Sequence, residues 1–423
     1  MPAAREARSA RLILRGTSYS EAVPRLVPLP VPAGPSCLRI VPALRAALAG
    51  SGPAVAPHAA EDAPLDLPPY VESDLPDDFA VVVGTSGSTG PPKLALLGAA
   101  ALAASADATA ARLGGRGDWL LALPAHHIAG LQVLLRAAAW DTRVRVLPAG
   151  PFRAEAFTAA AAALHDETPA AGSSAPGYVS LVPTQLGRLL DDAPATAELS
   201  RFAAVLVGGA ACPPELLTRA AAAGVRVVTT YGSSETCGGC VYDGVPLDCA
   251  DVVVERPDET GIGRLLLGGP MLAAGYLGDP ARSAAAFPTY DGRRVFRTDD
   301  LGRISTQVTV LGRADDVIVT GALKVLPGQV EDAIRAALPG WDVTVVGVPD
   351  PDWGHVVAAA LAPADPEHQP RTPPTLEQLR DAVRPALPAY ALPRALLVLP
   401  ALPLLGIGKP DRAAVRAAFA ARA

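Results

Sequence analysis

Between residues 79 and 230 the chain alternates two patterns: short β-branched or leucine-rich runs, and longer alanine-rich segments with apolar positions at helical spacing. Residues 79–83, 119–123, 143–147, 178–182, 203–207 and 225–230 predict strands. Helices are predicted over Ala99–Leu113, stopped by Gly114-Gly115, from near Gly130, over 152–164, over Pro183–Leu190 with proline in the first turn, and from Pro213-Pro214-Glu215 to Gly224. Such alternation implies mixed sheets covered by helices, with ligands gathered at the carboxyl ends of the strands.

Before residue 80 the apolar pieces are short and cut by proline, with one helix near 41–49 and an acidic connection over 61–78. From Gly261 the pattern turns β-rich, with strands at 263–268, 295–297, 302–305 and 309–312 and charged turns at 297–302 and 312–318. A small unit follows: helix 328–338, strands 343–347 and 356–362, helix 376–386 and strand Ala395–Val398. The predicted class is α/β, with a large N-terminal domain over 1–312 that includes a β-rich portion and a small mobile C-terminal α+β domain over 313–423.

Composition narrows the function. Half of the 423 residues are apolar, enough for a large core and a second unit. A net charge of −6 carries no electrostatic footprint for nucleic acid. Five cysteines, an odd number in a long chain, argue against a disulfide framework and for a reducing compartment. Cys237-Gly-Gly-Cys240 is a lone pair, without the second pair or the histidines that a zinc site needs. No apolar run reaches the ~18 residues of a membrane helix, and the arginine-dotted start lacks a signal-peptide core. The expectation is a cytoplasmic protein without membrane insertion.

The chemistry concentrates in a few loops. After Val81-Val82-Val83-Gly84 comes Thr85-Ser86-Gly87-Ser88-Thr89-Gly90-Pro91-Pro92-Lys93: glycines that let backbone N–H groups approach an anion, four hydroxyls, and a terminal ammonium. That is a phosphate cradle, distinct from the common nucleotide loop because two prolines part Gly90 from Lys93. His126-His127 follows another strand, which favours a pocket role, and His127 is a candidate for catalysis and acid binding. The Gly208-Gly209-Ala210 turn and Tyr231-Gly232-Ser233-Ser234-Glu235 also follow strands and can share one cleft with them.

Thr85 to Lys93, Tyr231 to Glu235, Thr298-Asp-Asp-Leu-Gly302, Gly312-Arg-Ala-Asp-Asp316 and Gly408-Lys409, in this order, resemble the core motifs of the adenylate-forming superfamily of acyl-CoA synthetases and adenylation domains. This resemblance implies ATP, Mg2+ and CoA as co-substrates. It implies Tyr231 and Gly232 against adenine beside Gly208-Gly209-Ala210, Ser234 at the AMP phosphate, Glu235 on Mg2+, and Asp300 and Arg313 on the ribose. Lys93 and Lys409 would be catalytic lysines, Lys409 on the mobile domain, with a hinge at Asp315. Ser234 keeps a hydroxyl where the family usually has Thr, and Asp299 replaces a usual Gly.

Leu123 to Leu131, Ser180 to Leu190 and Tyr231 to Cys237 further resemble the o-succinylbenzoate-CoA ligases of menaquinone biosynthesis. That implies an aromatic dicarboxylate as the small-molecule partner, with Thr184 and Arg188 as candidate acid contacts, and admits a homodimer. Another aryl- or acyl-CoA ligase, a carrier-loading enzyme, or a non-catalytic binder on the same fold are the other readings.

Overall fold

The computed structural model describes residues 26–62, 67–70, 75–85, 93–167, 175–364, 372–404 and 410–422. Its first sheet follows from the valine run. Strand Phe79–Gly84 pairs in parallel with Ala54–Ala59, which pairs in parallel with Leu26–Val31, and antiparallel with Leu94–Gly98, whose far edge takes Gly275–Tyr276. The period-two alternation of side chains sends Val81, Val83, Ala95 and Leu97 into the main core and Val82, Leu94 and Leu96 into a smaller one on the opposite face. The two outer strands were not legible in the sequence. Leu26–Val31 carries Pro28 and Pro30, which an edge strand tolerates because one side of its backbone needs no partner.

The second sheet has five parallel strands in the order Val227–Ser233, Ala204–Val207, Gly177–Leu181, Asp118–Leu121 and Val144–Val146, extended antiparallel by Gly238–Tyr242 and Val245–Pro246. Helices Val41–Leu48, Ala99–Leu113 and Ile128–Trp140 lie between the two sheets, and Leu44, Leu102, Leu131 and Leu134 bury into the core they share with Trp119 and Tyr178. The other face of the second sheet is covered by Ala154–Asp166, Pro183–Leu190, Ala193–Ser200 and Pro214–Ala222 around Phe157, Leu186, Leu189 and Leu199. One buried ion pair anchors this region. Asp118, 4% exposed, accepts the Arg143 backbone N–H at 2.9 Å and two guanidinium N–H groups at 2.9 and 2.6 Å.

The third sheet is antiparallel and corrects one predicted turn. Residues 297–302 lie within one continuous strand, Arg293–Ile304, flanked by Gly263–Gly268 on one side and by Val308–Arg313 on the other. The polar run stays in the strand because Thr298, 3% exposed, donates to the Leu265 carbonyl at 2.8 Å, and register shifts absorb the irregularity. Likewise the 225–230 strand runs on to Ser233, since Gly232 packs flat against Gly238, whose carbonyl lies only 2.1 Å from where a Cβ would stand.

The small C-terminal unit pairs Trp341–Asp350 with Gly354–Pro363, adds Ala395–Val398 in parallel and the hairpin Ile318–Thr320/Leu323–Val325, and packs helices Pro327–Ala337 and Leu376–Val383 around Ile334, Val345 and Leu361. A helix absent from the sequence prediction, Arg412–Ala420, closes it. Arg412 is fixed by Glu331 Oε1 at 2.5 Å, the Val345 carbonyl at 2.6 Å and Asp316 at 3.3 Å. Among the described residues no helix is long and apolar enough to cross a membrane.

Candidate active site

Because the five central strands run parallel, Leu121, Leu181, Val207 and Ser233 end on one edge of the sheet. The segments bearing His126-His127, Thr184, Gly208-Gly209-Ala210 and Tyr231 to Glu235 all leave from that edge. Gly208 has no room for a side chain: a Cβ would stand 2.3 Å from Thr230 Oγ1, and Gly209 at φ +79° completes the turn. The first sheet meets this edge through Ser234, whose hydroxyl donates to the Gly84 carbonyl at 3.4 Å. Thr85 N–H donates to the Lys93 carbonyl at 2.8 Å and so closes the base of the Gly-rich loop, whose residues Ser86, Gly87, Ser88, Thr89 and Gly90 lie outside the described residues.

Two phenol–carboxylate pairs dominate the site. Glu235 is 5% exposed on the turn Ser234–Thr236, and its Oε1 accepts from the Tyr276 hydroxyl at 2.8 Å. Burial first, and then the Glu235 carboxylate, push the Tyr276 phenol far above its ordinary range, so it stays a proton donor. The Lys93 ammonium lies 5.6 Å from the centre of the Tyr276 ring. In the second pair the Tyr231 hydroxyl donates to Asp300 Oδ2 at 2.7 Å, and burial followed by Asp300 again raises the phenol well above its usual value.

Arg313 pairs in register with Asp300 across adjacent strands, but its guanidinium grips Asp315 at 3.0 and 3.1 Å and touches Asp299 at 3.3 Å. Arg264 holds the other oxygen of Asp299 at 3.1 Å. Burial opposes charge on Asp315, yet the Arg313 hydrogen bond and charge prevail and lower its pKa. These contacts place the expected hinge residue in the turn Ala314–Asp316, beside the expected ribose residues.

The histidine rings lie 4.3 Å apart, tilted by 52°, and His127 precedes helix Ile128–Trp140 as its N-cap. Burial lowers the His126 pKa, against an opposing pull from Glu61 and Asp62. Thr184 and Arg188 sit one turn apart on the exposed face of helix Pro183–Leu190, opposite Leu186 and Leu189. Gln185 fastens that helix to the strand edge, accepting from Val182 N–H at 3.0 Å and donating to the Ala122 carbonyl at 3.1 Å. Lys409 lies outside the described residues; Leu404 and Pro410, which flank that stretch, form a bridge. Cys237 and Cys240 are free thiols buried in the core.

Sequence reasoning passed over Tyr276, Gln185, Thr298 and Arg264. Tyr276 stood among Ala273, Ala274 and Gly275 with no pattern around it, and the one available signal was its rarity, as one of eight tyrosines in a chain with 4% aromatic residues. An open groove of about 700 Å3 between helix Pro214–Ala222 and strand Val308–Arg313, lined by Thr229, Asp243 and Val310 among others, contains none of the expected site residues.

The AMP-binding enzyme family matches residues 16–277, and its C-terminal domain matches residues 329–409. The chain belongs to the AMP-binding enzyme family. Within this family it is 44% identical over 400 residues to the "Probable 2-succinylbenzoate--CoA ligase" of Mycobacterium tuberculosis, covering 93% of this chain and 99% of that protein. It is 29% identical over 360 residues to the 2-succinylbenzoate--CoA ligase of Enterococcus faecalis, with coverage of 80% and 69%. Among solved structures, the o-succinylbenzoate CoA synthetase of Bacillus subtilis with its acyl-adenylate intermediate aligns at TM-score 0.67 and 26% identity over 80% of this chain and 69% of that one. The AMP-binding enzyme fold, with a large N-terminal and a small C-terminal domain, is the architecture anticipated from the sequence.

Proposed function

We propose that this chain is an AMP-forming 2-succinylbenzoate–CoA ligase. One carboxylate of the acid attacks the α-phosphorus of ATP, releasing pyrophosphate and leaving an acyl-adenylate. The CoA thiol then attacks the acyl carbon and AMP departs. The observation that carries the choice of acid is the 44% identity to the mycobacterial protein across 99% of its length.

These side chains suit the first step. Lys93 brings positive charge to the mouth of the Gly-rich loop, where negative charge grows on the phosphates in the transition state. A single buried carboxylate, Glu235, suits Mg2+, which takes one or two protein oxygens and fills its shell with phosphate oxygens and water. Bound there, the metal would offset charge on the reacting phosphates. Tyr231 would stack on adenine beside Gly208-Gly209-Ala210, with Gly232 leaving room, while Asp300 and Arg313 would take the ribose. Ser234, together with Thr85, Ser86, Gly87, Ser88, Thr89 and Gly90, would contact the phosphates.

The remaining assignments are of the same kind. His127, Thr184 and Arg188 would receive the acid, Arg188 by pairing with the carboxylate that does not react. The lid would comprise residues 313–423 and turn at Asp315, bringing Lys409 to the first step and withdrawing it for the second. We place the enzyme in the cytoplasm, without nucleic-acid partners.

The test is ATP–pyrophosphate exchange across a panel of aryl and fatty acids. The 2-succinylbenzoate should support the highest kcat/KM. If another acid exceeds it tenfold, the enzyme is a different aryl- or acyl-CoA ligase.

A further inference from the structure

Tyr276 has been given no role by the motifs, yet it touches both charged groups at the base of the phosphate loop. The segment that carries it is stitched at both ends to the strand that follows Lys93: Ala274 N–H donates to the Leu96 carbonyl and Leu277 N–H to the Leu94 carbonyl, each at 2.8 Å. The same segment holds the other partner, because Ala273 N–H donates to the Glu235 carbonyl at 2.8 Å. The Phe287 ring packs on Tyr276 at 5.7 Å and the Ser283 hydroxyl meets its backbone N–H at 2.8 Å, so the phenol is fixed from behind. Its proton goes to Glu235 Oε1, while Glu235 Oε2 takes no hydrogen bond from a described residue.

We propose that Tyr276 is a positioning residue for the metal–nucleotide site: its hydroxyl orients the Glu235 carboxylate so that Oε2 faces the cation, and its ring seats the Lys93 ammonium. A carboxylate hinged on three side-chain torsions has no fixed direction by itself. A buried donor on one oxygen removes that freedom, as outer-shell donors do for metal ligands generally. The ring face below Lys93 supplies a second, separable effect, because an aromatic face attracts the ammonium without neutralising it. The proposal rests on the reading that Glu235 takes the divalent cation.

The test uses the full chain, Mn2+ as the probe read by its electron paramagnetic resonance, and a non-hydrolysable ATP analogue. Phe fills the volume of Tyr, and circular dichroism with a thermal midpoint verifies that each variant is folded. Tyr276→Phe should weaken Mn2+ binding about tenfold, the lower end of what outer-shell changes produce, and leave metal-free binding of the analogue unchanged. Tyr276→Leu, which also removes the ring, should weaken both. In the exchange reaction the deficit of Tyr276→Phe should shrink as Mg2+ rises.

Mn2+ binding within twofold of wild type in Tyr276→Phe would overturn the proposal. So would a further loss on adding Tyr276→Phe to Glu235→Gln, since the phenol would then act through something other than that carboxylate. Glu235→Gln also separates the two ideas. If that variant alone binds Mn2+ normally, the reading of Glu235 as the metal carboxylate fails. If it loses Mn2+ while Tyr276→Phe does not, only the role of Tyr276 fails.

Discussion

Removing one hydroxyl from the proposed nucleotide pocket should weaken ATP without disturbing the rest of the reaction. In Tyr231→Phe the ring that would cover adenine is kept, and the 2.7 Å hydrogen bond to Asp300 is lost. Hydrogen bonds to charged groups contribute about 1.5–3 kcal/mol net. Tyr231 and Asp300 are both half-buried, so water can replace the lost donor, and the lower part of that range, about 1.5–2 kcal/mol, applies. Because 1.36 kcal/mol is a factor of ten, the KM for ATP should rise roughly 10- to 30-fold, with kcat changed by less than about threefold. The assay is ATP–pyrophosphate exchange with the acid saturating and ATP varied. Asp300→Ala, which removes the acceptor and the proposed ribose contact together, should be worse. A KM for ATP within twofold of wild type in Tyr231→Phe would show that the Tyr231–Asp300 pair does not shape the nucleotide site.

Arg143→Ala would leave the buried Asp118 carboxylate with only the backbone N–H of residue 143 and should lower unfolding free energy by about 1–3 kcal/mol, read by urea denaturation with exchange activity as the control. Lys409→Ala should abolish adenylate formation while largely sparing thioester formation from supplied acyl-adenylate, and an equal loss in both half-reactions would remove Lys409 from that role. Arg188→Ala should raise the KM for a dicarboxylate more than for a benzoate-like monocarboxylate, measured side by side in the exchange assay. Burial raises the Cys37 and Cys212 thiols to about 11 and the Cys240 thiol to about 12. Raised folded-state values mean that the unfolded chain loses these protons first. Stability should therefore hold below about pH 9 and fall as pH rises toward 11–12, more gently in Cys240→Ser, as followed by thermal midpoint.

The sequence exposed those parts of the fold whose patterns are local. The strand at Phe79–Gly84 follows from β-branched residues bounded by glycine, and Ala99–Leu113 ends where Gly114 takes φ +99°. Elements that depend on distant partners stayed hidden. The polar run 297–302 reads as a turn until two neighbouring strands claim its backbone, and Arg412–Ala420 begins at a residue whose purpose, holding Glu331, lies 81 positions away. The site divides in the same way. Tyr231, Glu235, Asp300 and Arg313 stand in motifs that resemble those of the adenylate-forming superfamily, whereas Tyr276 is marked by contacts with Lys93 and Glu235 that no window of sequence contains.

The central claim is that the chain joins a carboxylic acid to AMP. It is tested most directly by mixing the protein with Mg2+, 2-succinylbenzoate and ATP labelled at the α-phosphate, quenching before CoA is added, and separating the products. An acid-dependent labelled acyl-adenylate, formed with one equivalent of pyrophosphate and converted to labelled AMP and a CoA thioester when CoA follows, is the predicted result. Release of labelled ADP with inorganic phosphate, or no acid-dependent labelled species at all, would contradict it.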